Sequence, residues 1–153
     1  MENFLGSQFI KKNKLVQIEE IKNADIVLLY VGAKWSGPCK KILPYLKKLY
    51  DKSNRKQQVL EIIYLSCDKN EEDFNEAIDQ MPWCYISYKE QGLREIIVRH
   101  YNLVGIPSLL LISPWGNCVS SDCVTNLAAM TVSQCVELWR NRLSESSRPS
   151  LFG

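Results

Sequence analysis

Ile26-Val-Leu-Leu-Tyr-Val-Gly-Ala-Lys-Trp-Ser-Gly-Pro-Cys39 is the stretch that decides the fold. Its first six residues are continuously apolar and rich in β-branched side chains. They predict a strand buried on both faces. Gly32 to Pro38 then makes a loop, and a helix is expected from Gly37 to Lys52. Ile42, Leu46, Leu49 and Tyr50 recur at i, i+4, i+7 and i+8 on its apolar face. Lys40, Lys41, Lys47 and Lys48 lie away from that face, as a solvated surface or as a guide for an acidic partner. Pro44 falls inside the helix and should kink it.

Working outward, Val59–Leu65 repeats the buried-strand signal, and Asn70–Ile78 reads as a helix with acidic residues in its first turn. Leu93–Tyr101 is expected to be helical, Pro107–Ile112 a strand, and Pro114–Asn117 a hairpin turn leading to Val119. Thr131–Leu143 closes the pattern as a helix, with Val132, Cys135, Val136, Trp139 and Leu143 on one face. Before the quoted stretch, Leu15–Ile18 alternates and predicts a short first strand. Strand–helix–strand units imply parallel pairs, and the late hairpin adds an antiparallel edge. The expected fold class is therefore α/β, a central mixed β-sheet flanked by helices in three layers. One domain over residues 1–145 is expected, with residues 146–153 as a polar tail.

Composition narrows the function classes. The 153 residues are 46% hydrophobic and 24% charged, with a net charge of +2. That balance suits a globular protein and gives no argument for nucleic acid or membrane partners. No apolar run approaches the ~18 residues of a membrane span, and the N-terminus lacks a signal-peptide pattern. Six cysteines are too few for a disulfide scaffold, so free thiols in a reducing compartment are expected, cytoplasmic or nuclear. Cys118, Cys123, Cys135 and His100 match no zinc spacing, so neither a metal nor a cofactor is expected. His100 has no acid or nucleophile in a recognisable arrangement for a hydrolytic triad. A monomer is expected.

Trp35-Ser-Gly-Pro-Cys39, between a buried strand and a helix start, resembles the Trp-Cys-x-x-Cys loop of the thioredoxin superfamily. Pro44 matches the family's helix-kinking proline. Gly105-Ile-Pro-Ser108 is similar to the segment holding its cis-proline. Tyr30 stands where ordinary thioredoxins bury an Asp. Tyr64-Leu-Ser-Cys-Asp68, Asp73-Phe74 and Met81-Pro-Trp83 are similar to the tryparedoxin and nucleoredoxin branch, although the place of Cys67 is usually Trp there. The resemblance spans about residues 15–143 and implies a thioredoxin fold and thiol–disulfide exchange on protein disulfides, fed by an unidentified dithiol donor.

That chemistry needs an attacking thiolate at the helix start and a resolving thiol one turn later. Here the attacking position is Ser36 and only Cys39 remains. Three readings stay open. Ser36 is an engineered replacement of a cysteine in a redox-active enzyme, or it marks a natural loss that leaves a module for binding a client protein, or another thiol has taken over. Cys67 and Cys84 are the candidate accessory thiols, with ordinary packing as the alternative for each. Cys39 itself is expected to be a shielded, weakly acidic thiol. Trp35, Gly37, Pro38, Ile106 and Pro107 are the expected substrate groove, where exposed backbone pairs with an extended segment. That groove does not depend on residue 36.

Overall fold

The alternation of apolar side chains along the central strands sorts them onto two faces, and each face has its own helices. In the computed structural model, which describes residues 1–146, β3 (Ile26–Gly32) and β4 (Leu60–Ser66) pair in parallel at the centre of the sheet. Leu28, Tyr30, Ile62 and Tyr64 point to one side. There they meet α3 (Gly37–Ser53), α6 (Cys123–Ala129) and α7 (Val132–Ser146) through Ile42, Leu46, Leu49, Leu127, Cys135 and Trp139. Val27, Leu29, Val31, Ile63 and Leu65 point to the other. They are covered by α1 (Glu2–Leu5), α2 (Ile18–Lys22) and α5 (Gln91–His100) through Leu5, Ile18, Ile21 and Ile97. Both central strands are buried along their whole length, as continuous apolar runs require.

The remaining strands, β1 (Gln8–Lys11), β2 (Lys14–Gln17), β5 (Cys84–Tyr85), β6 (Ser108–Ile112) and β7 (Cys118–Ser120), extend the sheet in the order β2-β1-β5-β4-β3-β6-β7. β6 (Ser108–Ile112) runs antiparallel to β3, and β7 (Cys118–Ser120) antiparallel to β6, which gives the expected late hairpin. On the far side, β5 (Cys84–Tyr85) pairs in parallel with β4. The expected three-layer mixed sheet is the observed one.

Several boundaries differ from expectation, each for a local reason. The first strand is a hairpin, β1 (Gln8–Lys11) with β2 (Lys14–Gln17), turned by Lys12 and Asn13. Both turn residues have positive φ, 50° and 65°, the mark of a type I′ turn. Ile18 therefore starts α2 rather than ending a strand. The hairpin is tied to the sheet by buried Glu61, which accepts from Lys11 Nζ at 2.9 Å, Gln58 Nε2 at 2.6 Å and Tyr50 Oη at 3.1 Å. Ser146, where the polar tail was expected to begin, is the last residue of α7, and the rest of the expected tail, 147–153, lies outside the described residues. Ile96, an apolar residue of the expected helix Leu93–Tyr101, faces solvent. Among the described residues, no helix is long and apolar enough to cross a membrane.

Candidate functional site

The chain leaves β3 at Gly32, at the carboxyl end of the parallel strands, where α/β sheets place their sites. Gly32 is needed there for close approach. A Cβ on it would lie 2.9 Å from Tyr30 Oη and 3.2 Å from Cys39 Sγ. The next loop is clamped by Asp68, which is fully buried. Its Oδ1 accepts from the Lys34 N–H at 2.9 Å and its Oδ2 accepts from Ser66 Oγ at 2.8 Å. Tyr88 Oη donates to the Asp68 carbonyl at 3.4 Å. Asp68 is thus a positioning residue. Its sequence signal, a Ser-x-Asp directly after a strand, was visible only as part of a family motif.

Trp35 projects from this loop and keeps 56% of its surface exposed. Ser36 follows as the N-cap of α3, with φ −80° and ψ 120°, and Pro38 occupies the first turn, where its missing N–H costs nothing. The Ser36 hydroxyl accepts from the Cys39 N–H at 3.3 Å, and the Ser36 carbonyl accepts from the Lys40 N–H at 3.1 Å. Serine is among the best N-cap residues, so the helix start is satisfied without a thiol. Ser36 is only 5% exposed and Cys39 only 3%. The expected shielding of Cys39 is therefore observed. Beneath Cys39, burial holds the Tyr30 hydroxyl far above the ordinary tyrosine range, and the neighbouring Cys39 and Tyr64 add to this. Tyr30 is a neutral phenol and takes no proton from the thiol.

The second wall of the site is the loop before β6. The Ile106–Pro107 bond is cis. Pro38 and Pro107 face each other across a groove of about 400 Å³, continued by Ile42, Tyr45, Val124 and Leu127. Among the described residues, neither the N–H nor the C=O of Ile106 makes a backbone hydrogen bond. Tyr45 in this lining is half-exposed. Trp35, Pro38, Ile106 and Pro107 are therefore brought to one end of the sheet with Ser36 and Cys39. Gly37 lies on the same turn, with open space where a side chain would sit.

The two accessory thiols part company. Cys67 lies at the end of β4 beside the loop, and its N–H donates to the Gly32 carbonyl at 2.8 Å. It is half-buried, and burial pushes its thiol above the ordinary value despite the opposing charge of Arg94. Cys84 is sealed in the core opposite Ile63, short of the strand end that carries the loop. Burial and then Glu61 hold its thiol far above the ordinary range. The structure does not bring Cys84 to the site. Because a raised thiol pKa moves thiolate formation to higher pH, Cys67 should be alkylated by iodoacetamide more slowly than free cysteine at pH 8. Its rate should still be rising with pH where that of free cysteine has levelled off. Residue-resolved mass spectrometry after timed quenching checks this; a Cys67 rate that plateaus below pH 8 would contradict it.

A parallel βαβ core, an antiparallel hairpin, a Trp-x-Gly-Pro-Cys turn at a helix start and a facing cis-proline together define a thioredoxin-type protein. A thioredoxin-like family model matches residues 23–118, more than half of the chain. The chain belongs to that family, and within it to the tryparedoxin and nucleoredoxin branch. It is 28% identical over 116 residues to nucleoredoxin of Xenopus laevis, covering 76% of this chain and 28% of the relative. It is 33% identical over 92 residues to mouse nucleoredoxin, covering 60% and 21%. The match thus spans only 21% to 28% of the length of these curated relatives. Among solved structures, tryparedoxin I of Leishmania major matches with a TM-score of 0.74 at 26% identity, covering 81% of this chain and 85% of that one. Native tryparedoxin I of Crithidia fasciculata matches with 0.76 at 22% identity, covering 83% and 89%.

Proposed function

We propose that this chain is a thiol–disulfide oxidoreductase scaffold whose exchange chemistry is silenced at residue 36 while its client groove is retained. The observation that carries the reading is the placement of Ser36. Its hydroxyl caps α3 in the position of the attacking atom, one turn before Cys39. An alcohol is a far weaker acid than a thiol and forms no disulfide, so neither half of a two-thiol cycle can start there. The relatives named nucleoredoxin and tryparedoxin support the oxidoreductase ancestry.

The groove supports the binding half of the reading. Tyr45, Pro38 and Pro107 offer apolar contact, with exposed Trp35 on the adjoining loop, and the unpaired Ile106 backbone offers main-chain hydrogen bonds to an extended segment. On this account the physiological partner is a client protein, and the chain holds it without changing its redox state. A natural serine codon at position 36 in the source gene supports a dedicated binding module. A cysteine codon supports an enzyme carried here in inactive form. The direct test is the turbidity of insulin in dithiothreitol. The chain should leave the time course at the rate of dithiothreitol alone, and any catalytic acceleration would overturn the proposal.

A further inference from the structure

A second recess opens behind the loop, on the side away from Pro107. It has a volume of about 470 Å³, within the range of small-molecule sites. Its wall from α3 is one helical stripe, Lys40, Leu43, Pro44 and Lys47, at i, i+3, i+4 and i+7. Ala77 and Met81, at and beyond the end of α4 (Glu71–Ile78), form the opposite wall, and Tyr30, Cys39 and Tyr64 form the floor.

Two independent observations point to an occupant. The first is polar. Tyr64 is fully buried, and its hydroxyl has no partner in hydrogen-bond geometry, because the neighbouring Ser66 Oγ donates to Asp68 Oδ2 instead. Unpaired buried donors are rare and costly in folded proteins, and a ligand atom reaching this floor would satisfy this one. The second is charge. Lys40 and Lys47 stand about 10 Å apart along the helix axis at the mouth, and neither is in an ion pair among the described residues. A third lysine at the rim, Lys34, is already neutralised by Asp73 and Glu76. The free positive charge therefore lies on the α3 side only, above a wall that is otherwise apolar.

We propose that this cleft binds a small organic anion with an apolar body, an aryl or alkyl carboxylate or sulfonate. Its acid group meets Lys40 and Lys47, and its body packs on Leu43, Pro44, Ala77 and Met81. The occupant lies against the rear of Cys39, so it shares a wall with the candidate site without using the client groove.

The probe is 8-anilino-1-naphthalenesulfonate titrated into the full chain by fluorescence, with its uncharged relative N-phenyl-1-naphthylamine as control. Saturable one-to-one binding is expected. The double variant Lys40→Glu, Lys47→Glu should weaken the sulfonate about tenfold and leave the neutral probe unchanged. Tyr64→Phe should weaken the sulfonate about threefold or more without lowering the melting temperature, because the lost hydroxyl has no partner in the free protein. Trp35→Ala, in the client groove, should change nothing. Absence of saturable binding overturns the site. So does binding that survives both cleft variants. An equal loss of the neutral probe in the charge-reversed chain overturns the assignment of an anion.

Discussion

Ser36→Cys is expected to turn the chain from inert to active in the reduction of insulin disulfides by dithiothreitol. A thiol at the N-cap of α3 takes the place of a hydroxyl that already accepts the Cys39 N–H, so a thiolate there meets a ready donor and the positive end of the helix dipole. Such positions lower thiol pKa values to roughly 3.5–7.5. At neutral pH an ordinary thiol is only a few per cent ionised, so the gain in thiolate is about tenfold, offset in part by the lower nucleophilicity of a more acidic thiol. The larger effect is categorical, because an S–S bond to the client becomes possible and Cys39 lies one turn away to resolve it. The variant should exceed the dithiothreitol background by about tenfold or more. The double variant Ser36→Cys, Cys39→Ser should lose turnover. A Ser36→Cys chain no faster than the unchanged protein would leave the oxidoreductase ancestry without a chemical basis in this loop.

The second large effect is on stability. Trp83 is fully buried and packs edge-on against Tyr30 at 6.4 Å and Tyr50 at 5.6 Å, in the layer beneath Cys39. Truncation to Ala removes the whole ring from a core that cannot close over it. The expected cost is about 3–5 kcal/mol, which in a chain of this size lowers Tm by roughly 10 °C. Trp83→Phe keeps most of the ring contact and removes an indole N–H that has no partner. It should therefore cost less than about 1.5 kcal/mol. Thermal melts followed by circular dichroism compare the three chains. A Trp83→Ala chain melting within 3 °C of the parent, a shift of about 1 kcal/mol, would show that the aromatic layer does not hold the site in place.

The parts of the fold that sequence made legible are those whose signal is local and long. β3 and β4 announce themselves as continuous apolar runs, and α3 through its 3.6-residue period. The loop at Trp35–Cys39 and the proline at 107 are readable for the same reason, since their chemistry sits in consecutive residues. What was missed depends on partners distant in the chain. β5 is two residues long and exists because Cys84 and Tyr85 pair with Ile63 and Tyr64. α6 spans only Cys123–Ala129, without a capping side chain or a charged first turn to mark it. α1 is a single turn. The clamp by Asp68 needs Lys34 brought against it from another strand end. The four lysines of α3 looked alike in sequence, yet packing divides them. Lys40 and Lys47 border the cleft toward α4, whereas Lys41 lines the groove at Pro107.

Cys67 is where the account is most exposed, because it is the remaining thiol beside the loop. If the chemistry of this fold lacks only the sulfur at residue 36, no other cysteine should exchange with a client disulfide at neutral pH. The decisive measurement is intact and peptide-level mass spectrometry of the chain incubated with oxidised insulin, beside the Ser36→Cys, Cys39→Ser variant. No adduct is expected on the unchanged chain, and a single mixed disulfide at residue 36 is expected in the variant. An adduct on Cys39 or Cys67 of the unchanged chain would contradict it and make this protein a one-thiol enzyme.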